Sequence, residues 1–216
     1  MTRHSVVALF PIALTFSMNV LNAQSYDNVG SGRALQFDGI DDYIDLGDRF
    51  DDLTLPTTIS AWVNVSSHMT YAFPIFNSQD NLPLYNGVTF AVSPLAFSIQ
   101  YGDGMGENNP AFRRGKSASI PNIAGRWVNL TAIMRGPTDM DLFLNGINIG
   151  GQYGGSSDLP MASMFAADHA KIGAWFSNGI TTHFKGQMDE LKIYNRALSE
   201  AEIREQMCKK LLGTES

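Results

Sequence analysis

The sequence predicts an all-β, antiparallel β-sandwich with a short C-terminal helix. Three observations carry that expectation. Segments of alternating apolar and polar residues recur along the chain, as strands with one buried face require. Twenty glycines and 11% aromatic residues accompany only 17% charged residues, the composition of many strands joined by tight turns. One strong helix start occurs late in the chain, where Ser199 precedes Glu202 at the spacing of a reciprocal cap.

Residues 1–23 read as an export signal. Arg3 and His4 supply a basic start, Val6–Met18 is an apolar run, and Leu21-Asn22-Ala23 ends it on a small residue. The run is shorter than the roughly 20 residues a membrane span needs, and Pro11 interrupts it. No second run of that length follows. Residues 24–216 are therefore expected to form one domain, secreted or periplasmic, that does not span a membrane after cleavage. A formal net charge of −6 leaves no electrostatic footprint for nucleic acid or an anionic membrane. The basic cluster Arg113-Arg114-Gly115-Lys116 reads as a solvated loop. Cys208 is the single cysteine, so no internal disulfide is expected. It lies beside a helical stripe of Ile203, Met207 and Leu211, as a packed thiol or, alternatively, a bridge to another chain.

The strands follow in order. Leu35 and Phe37 alternate, Gly39–Asp42 makes a turn, and Tyr43, Ile44 and Leu46 continue beyond it. Ile59, Ala61, Val63 and Val65 share one face, which leaves Ser60, Trp62 and Asn64 on the other. Val88, Phe90 and Val92 alternate, as do Leu95, Phe97, Ile99 and Tyr101, and then Val128, Leu130, Ala132 and Met134. Trp127 sits opposite in parity to Val128 and Leu130, and Phe143 opposite to Leu142 and Leu144. Two tryptophans thus fall on faces away from the core, under a covering loop or as a platform for a sugar ring. Residues 102–116 and 150–160 are the most turn-rich stretches. Asn64-Val65-Ser66 and Asn129-Leu130-Thr131 match the glycosylation sequon inside strands.

The last strand departs from strict alternation. Phe184, Gly186 and Met188 share one parity, whereas Leu191 and Ile193 share the other. Since side chains alternate across a strand, the slip predicts one extra residue, a bulge, at Asp189-Glu190.

This segment, F-K-G-Q-M-D-E-L-K-I-Y-N-R-A-L-S-E-A-E-I at Phe184–Ile203, resembles the closing strand of laminin-G-like domains of the concanavalin A-like lectin/glucanase superfamily. A-L-Q-F-D-G-I-D-D-Y-I-D-L at 34–46 looks like the family's first hairpin and T-I-S-A-W-V at 58–63 like its next core strand. W-V-N-L-T at 127–131 with L-F-L-N-G at 142–146 is similar to its central hairpin, and K-I-G-A at 171–174 to the strand before the close. The resemblance spans nearly all of 24–216 and implies a jelly-roll sandwich, a fold that hosts lectins, glycanases, adhesion modules and scaffolds.

The resemblance further implies a structural calcium ion between the first and closing strands, held by Asp189 with Asp38 and Gly39 as neighbours. Calcium takes six to eight hard oxygens, from carboxylates and carbonyls together. The alternative is a metal-free bulge whose acidic pair is hydrogen-bonded or paired with arginine; a second, weaker cation candidate is Asp103 with Glu107. Transition metals are not expected, because His4, His68, His169 and His183 form no HExxH spacing and one cysteine builds no thiolate site. The E-x-D-x-x-E strand of glucanases resembling this fold is absent, as are the Q-I-H and arginine-rich strands of its polysaccharide lyases. The chain is therefore expected not to be an enzyme but a recognition module for a glycan or an extracellular protein. The alternatives are a glycan-active enzyme of the same fold and an adhesion subunit. Sugar recognition needs aromatic faces and a few polar groups. Its candidates are Trp175, Phe176, Trp62, Trp127 and Tyr101, with Asn178 and Asp103 as polar partners.

Overall fold

In each long strand, alternate residues are too apolar to face water, and burying them forces two sheets together. The computed structural model describes residues 24–29, 32–50, 52–66, 72–78, 85–105, 112–162, 169–177 and 180–208. The expected export signal, residues 1–23, lies outside the described residues, as do Glu107, Asn178 and Leu211. One sheet runs, edge to edge, through Gln24–Val29 (β1), Gly32–Asp38 (β2), Lys185–Tyr194 (β16), Thr57–Val65 (β4), Trp127–Gly136 (β9), Asp139–Leu144 (β10) and Ile147–Asn148 (β11). The other runs through Gln152–Gly155 (β12), Arg113–Ser119 (β8), Ala96–Gly102 (β7), Val88–Ser93 (β6), Phe73–Asn77 (β5), Ala170–Ile172 (β13) and Ile44–Gly47 (β3). A ribbon of Ala174–Ser177 (β14) and Ile180–His183 (β15) and one helix, Glu200–Cys208 (α1), complete the described residues. The sandwich expected from alternation is the fold.

The core lies between the two large sheets. Ile59, Ala61, Val63 and Val65 are fully buried, and Phe37, Phe90, Phe97, Ile99 and Leu130 meet them in the same cluster. Phe37 and Phe184 pack edge to face at 5.8 Å between ring centroids, a preferred aromatic geometry. The closing strand β16 does lie beside β2, with Gly186 opposite Phe37 and Met188 opposite Leu35.

Three expectations are corrected: the Arg113–Lys116 cluster is not a solvated loop but the start of β8, paired with β7 and β12. Leu95 does not extend the alternation of Phe97 and Ile99; it is 60% exposed in the tight turn between β6 and β7. Residues 34–46 are not a hairpin, because β2 and β3 belong to different sheets. The turn at Gly39–Asp42 is instead a crossover from one layer to the other. A two-sheet closure demands such corners, and alternation alone does not distinguish them from hairpins.

The helix caps as its spacing predicts. Ser199 N–H donates to Glu202 Oε2 at 2.8 Å, and Glu202 N–H donates to Ser199 Oγ at 3.3 Å. Leu198 and Ile203 seal Ile133, Phe143 and Tyr194 on the outer side of the first sheet. The N–H and hydroxyl of Ser199, with Arg196 beside them, hold the Glu202 carboxyl down at about 2. A depressed carboxylate stabilises the fold above its unfolded value near 4.5 and loses that contribution as pH falls toward 2. Glu202→Gln is therefore expected to melt below the wild type at neutral pH, with the gap closing between pH 4.5 and 2; thermal melts across that window check it.

Candidate functional site

With Phe37, Met188, Val63, Val65, Val128 and Leu130 turned into the core, the residues between them point outward from the first sheet. Strand register then aligns residues distant in sequence. Gln36 on β2 lies opposite Gln187 on β16, Gln187 opposite Asn64 on β4, and Asn64 opposite Trp127 on β9. The next outward row places Asp189 opposite Trp62, and Trp62 opposite Asn129. Gln36, Gln187, Asn64, Asp189 and both tryptophans are half-buried. Trp62 and Trp127 are diagonal neighbours on adjacent strands, a separation of about 7–8 Å that large rings bridge.

An open groove of about 440 Å³ runs along the amide end of this row. Gln36, Asn64, Gln187 and Gly186 line it with Val65 and Ser66, and Ala124 and Gly125 form a wall. Gly125 N–H donates to Val65 O at 2.9 Å, and Ser66 N–H to Lys185 O at 3.0 Å, tying that wall to the strands. Asn64 Nδ2 donates to Gln187 Oε1 at 3.3 Å. Further along the same outward face, Thr131 Oγ1 donates to Ser60 Oγ at 2.8 Å, and Asn129 Nδ2 to the same hydroxyl at 3.2 Å. Satisfied buried networks of this kind rigidify the face they belong to. Helix α1 covers one end of this face and leaves the amide end open.

The bulge predicted at Asp189-Glu190 is present. Pairing of β16 with β4 jumps from Asp189–Trp62 to Lys192–Ser60, and Glu190 takes the left-handed φ of 49° that an inserted residue adopts. Asp189 Oδ1 accepts its neighbour Glu190 N–H at 2.8 Å. Burial, with the Glu190 charge adding to it, pushes the Asp189 carboxyl above the ordinary range despite that bond. Glu190 turns to Lys192, 3.0 Å away in a pair whose side chains are 11% and 6% exposed. Asp189 is thus hydrogen-bonded to the backbone, and Glu190 is paired with lysine, not arginine.

The other candidates fall elsewhere. Asp38 lies opposite Lys185, so Asp189 stands about 13 Å further along β16 by strand rise. Asp189, Asp38 and Gly39 are therefore not brought together, and they do not fit a shared ion. Tyr101 is fully buried, donates its hydroxyl to Leu159 O at 2.8 Å and is pushed up to about 12 by burial; it offers no ligand face. Asp103 is a buried loop anchor, accepting from Met105 N–H at 3.0 Å and from the Ser157 hydroxyl. Trp175 is half-buried in the β14–β15 ribbon with its Nε1 buried and unpartnered, and the Phe176 side chain lies outside the described residues. Sequence reasoning missed Gln36, Asn64 and Gln187. Their outward parity was visible, but not the pairing that joins them.

A profile of the family described as the concanavalin A-like lectin/glucanases superfamily matches residues 38–204. The chain belongs to this superfamily. The matched span takes in the 38–42 turn, both outward-facing tryptophans of the first sheet, the closing strand and the start of α1. No curated protein matches the sequence significantly. Among solved structures, domain 4 of AbnA, a GH43 extracellular arabinanase from Geobacillus stearothermophilus in complex with arabinotriose, superposes with a TM-score of 0.58 at 18% identity. That match covers 86% of this chain and 81% of the domain. The binding domain of botulinum neurotoxin serotype G gives 0.60 at 13% identity, over 88% of this chain but 45% of that one. Trypanosoma rangeli sialidase gives 0.59 at 16% identity, over 92% of this chain and 30% of the enzyme. The chain thus spans less than half of the toxin binding domain and of the sialidase. At these identities the superfamily likeness is one of fold. Among the described residues, no helix is long and apolar enough to cross a membrane.

Proposed function

We propose that this chain is an exported, non-catalytic carbohydrate-binding module whose ligand lies across the outer face of its first sheet. The observation that carries the reading is the cross-strand row Gln36–Gln187–Asn64–Trp127, with Trp62 beside it, opening on a groove. Indole faces stack on the apolar face of a sugar ring, while primary amides both donate to and accept from neighbouring hydroxyls. Asp189, next to Trp62, adds an acceptor. An aromatic surface with a few fixed polar groups is the usual make-up of a small-ligand site. The arabinotriose bound by the AbnA domain supports an oligosaccharide as ligand class.

Calorimetric titration with neutral oligosaccharides, arabinotriose first, tests the reading. Trp127→Ala or Trp62→Ala is expected to weaken binding at least tenfold, about 1.4 kcal/mol or more, as anchor aromatics do. Trp175→Ala is expected to leave it unchanged. Full binding in both Trp62→Ala and Trp127→Ala, or loss only in Trp175→Ala, overturns the site. Release of shortened or unsaturated products from a polysaccharide panel overturns the non-catalytic role.

A further inference from the structure

Three primary amides stand side by side along the groove. Gln36, Gln187 and Asn64 occupy neighbouring strands at one register position, so strand spacing sets their backbones about 4.8 Å apart. A carboxamide carries two N–H donors and a carbonyl acceptor, and the fold uses only part of that capacity here. Asn64 Nδ2 donates to Gln187 Oε1 at 3.3 Å, and Gln36 Nε2 donates to Phe37 O at 3.1 Å. Among the described residues, Gln187 Nε2, Asn64 Oδ1 and Gln36 Oε1 have no protein partner. The row thus presents a donor with an acceptor on either side of it.

No charged side chain lines the groove, so nothing in it pairs with a carboxylate, sulfate or phosphate. A hydroxyl rotates to suit whatever partner it meets and gains little from an ordered array. A secondary amide is different. It is rigid and planar, and its trans form directs N–H and C=O to opposite sides. Such a group needs a donor and an acceptor carried by different strands, which this row supplies. Beside the amides, Ala124 and Gly125 form a small wall with no polar side chain, and Gly125 has open space where a Cβ would stand. A methyl group fits against that wall, and removing it from water is favourable.

We infer that the groove recognises an acetamido group, which makes the ligand class a glycan of N-acetylated amino sugars. The inference rests on the sugar site proposed above and narrows it. The acetamido carbonyl accepts from Gln187 Nε2, its N–H donates to Asn64 Oδ1 or Gln36 Oε1, and its methyl meets Ala124. The sugar ring that carries it lies toward Trp127, the fourth member of the row. The groove, at about 440 Å³, falls within the range of small-ligand sites.

Calorimetric titration of the full chain with two trisaccharides that share a backbone provides the test. One is the trimer of N-acetylglucosamine; the other is cellotriose, which carries a hydroxyl in place of each acetamide. The N-acetylated trimer is expected to bind about tenfold more tightly, as two added neutral hydrogen bonds and a buried methyl supply. Gln187→Glu keeps the acceptor for Asn64 Nδ2 but removes the N–H donors, and Gln36→Leu removes an acceptor on another strand. Each is expected to cut the preference at least roughly threefold, with thermal melts establishing that the variant is folded. Trp127→Ala should weaken both trimers and leave their ratio unchanged. Equal affinity for the two trimers, or tighter binding of cellotriose, overturns the inference, as does an unchanged ratio in both amide variants. Where arabinotriose binds and neither trimer does, the acetamido assignment fails and the sugar site stands. Where none of the three binds, both fall.

Discussion

Gly186→Ala is expected to destabilise the protein by about 4 kcal/mol or more, a large share of the roughly 5–15 kcal/mol that holds a domain together. Gly186 lies in β16, between β2 and β4, with φ +141°. A Cβ built there meets Asn64 O at 2.2 Å and Val65 Cα at 3.1 Å. Both are backbone atoms of a strand locked on its other side to β9, so neither can swing aside as a flexible side-chain tip would. Backbone strain at that φ adds to the overpacking. Because Gly186 also lines the groove, a folded remnant should bind sugar poorly. Urea midpoints for wild type and variant measure the loss; a difference under about 1 kcal/mol shows that the strands part easily and refutes the argument.

Lys192→Ala is expected to lose about 3–5 kcal/mol, because removing one partner of a buried ion pair strands the other charge. Glu190 and Lys192 are 11% and 6% exposed and 3.0 Å apart. Lys192 Nζ also donates to Gln206 O at 3.1 Å, so the same ammonium tethers α1 to the sheet. Replacing both members, Glu190→Gln with Lys192→Met, should recover most of the loss, since an apolar or neutral pair needs no counter-charge. A double-mutant cycle reads the coupling. Additive effects would mean that the pair is solvated and contributes little.

Much of this fold was legible in the residues themselves. Strict alternation marked β4, β6 and β9, and every position it assigned to the core in those strands is buried. The parity slip located the bulge at Glu190, and the Ser199–Glu202 spacing located the helix start. What stayed hidden was which strand neighbours which. Gln36, Asn64 and Gln187 are separated by long stretches of chain and meet only through pairings set by sheet closure. A glutamine between two core residues looks alike at an idle surface and at a binding one. Tyr101 misled for the opposite reason: it was a candidate as an aromatic, yet its parity with Phe97 and Ile99 already placed it in the core, where it is fully buried. The Asp38–Asp42 turn carried the cue of three aspartates, yet only the layer change showed that one of them is buried.

Backbone hydrogen bonding sets the interval between neighbouring strands at about 4.8 Å, whatever side chains they carry. Four abreast, from Gln36 to Trp127, therefore make a scale about 14 Å long with fixed graduations. Divergence can repaint the marks on such a ruler but cannot restretch it. Relatives should accordingly differ in which sugar they prefer sooner than in how long a piece they grip.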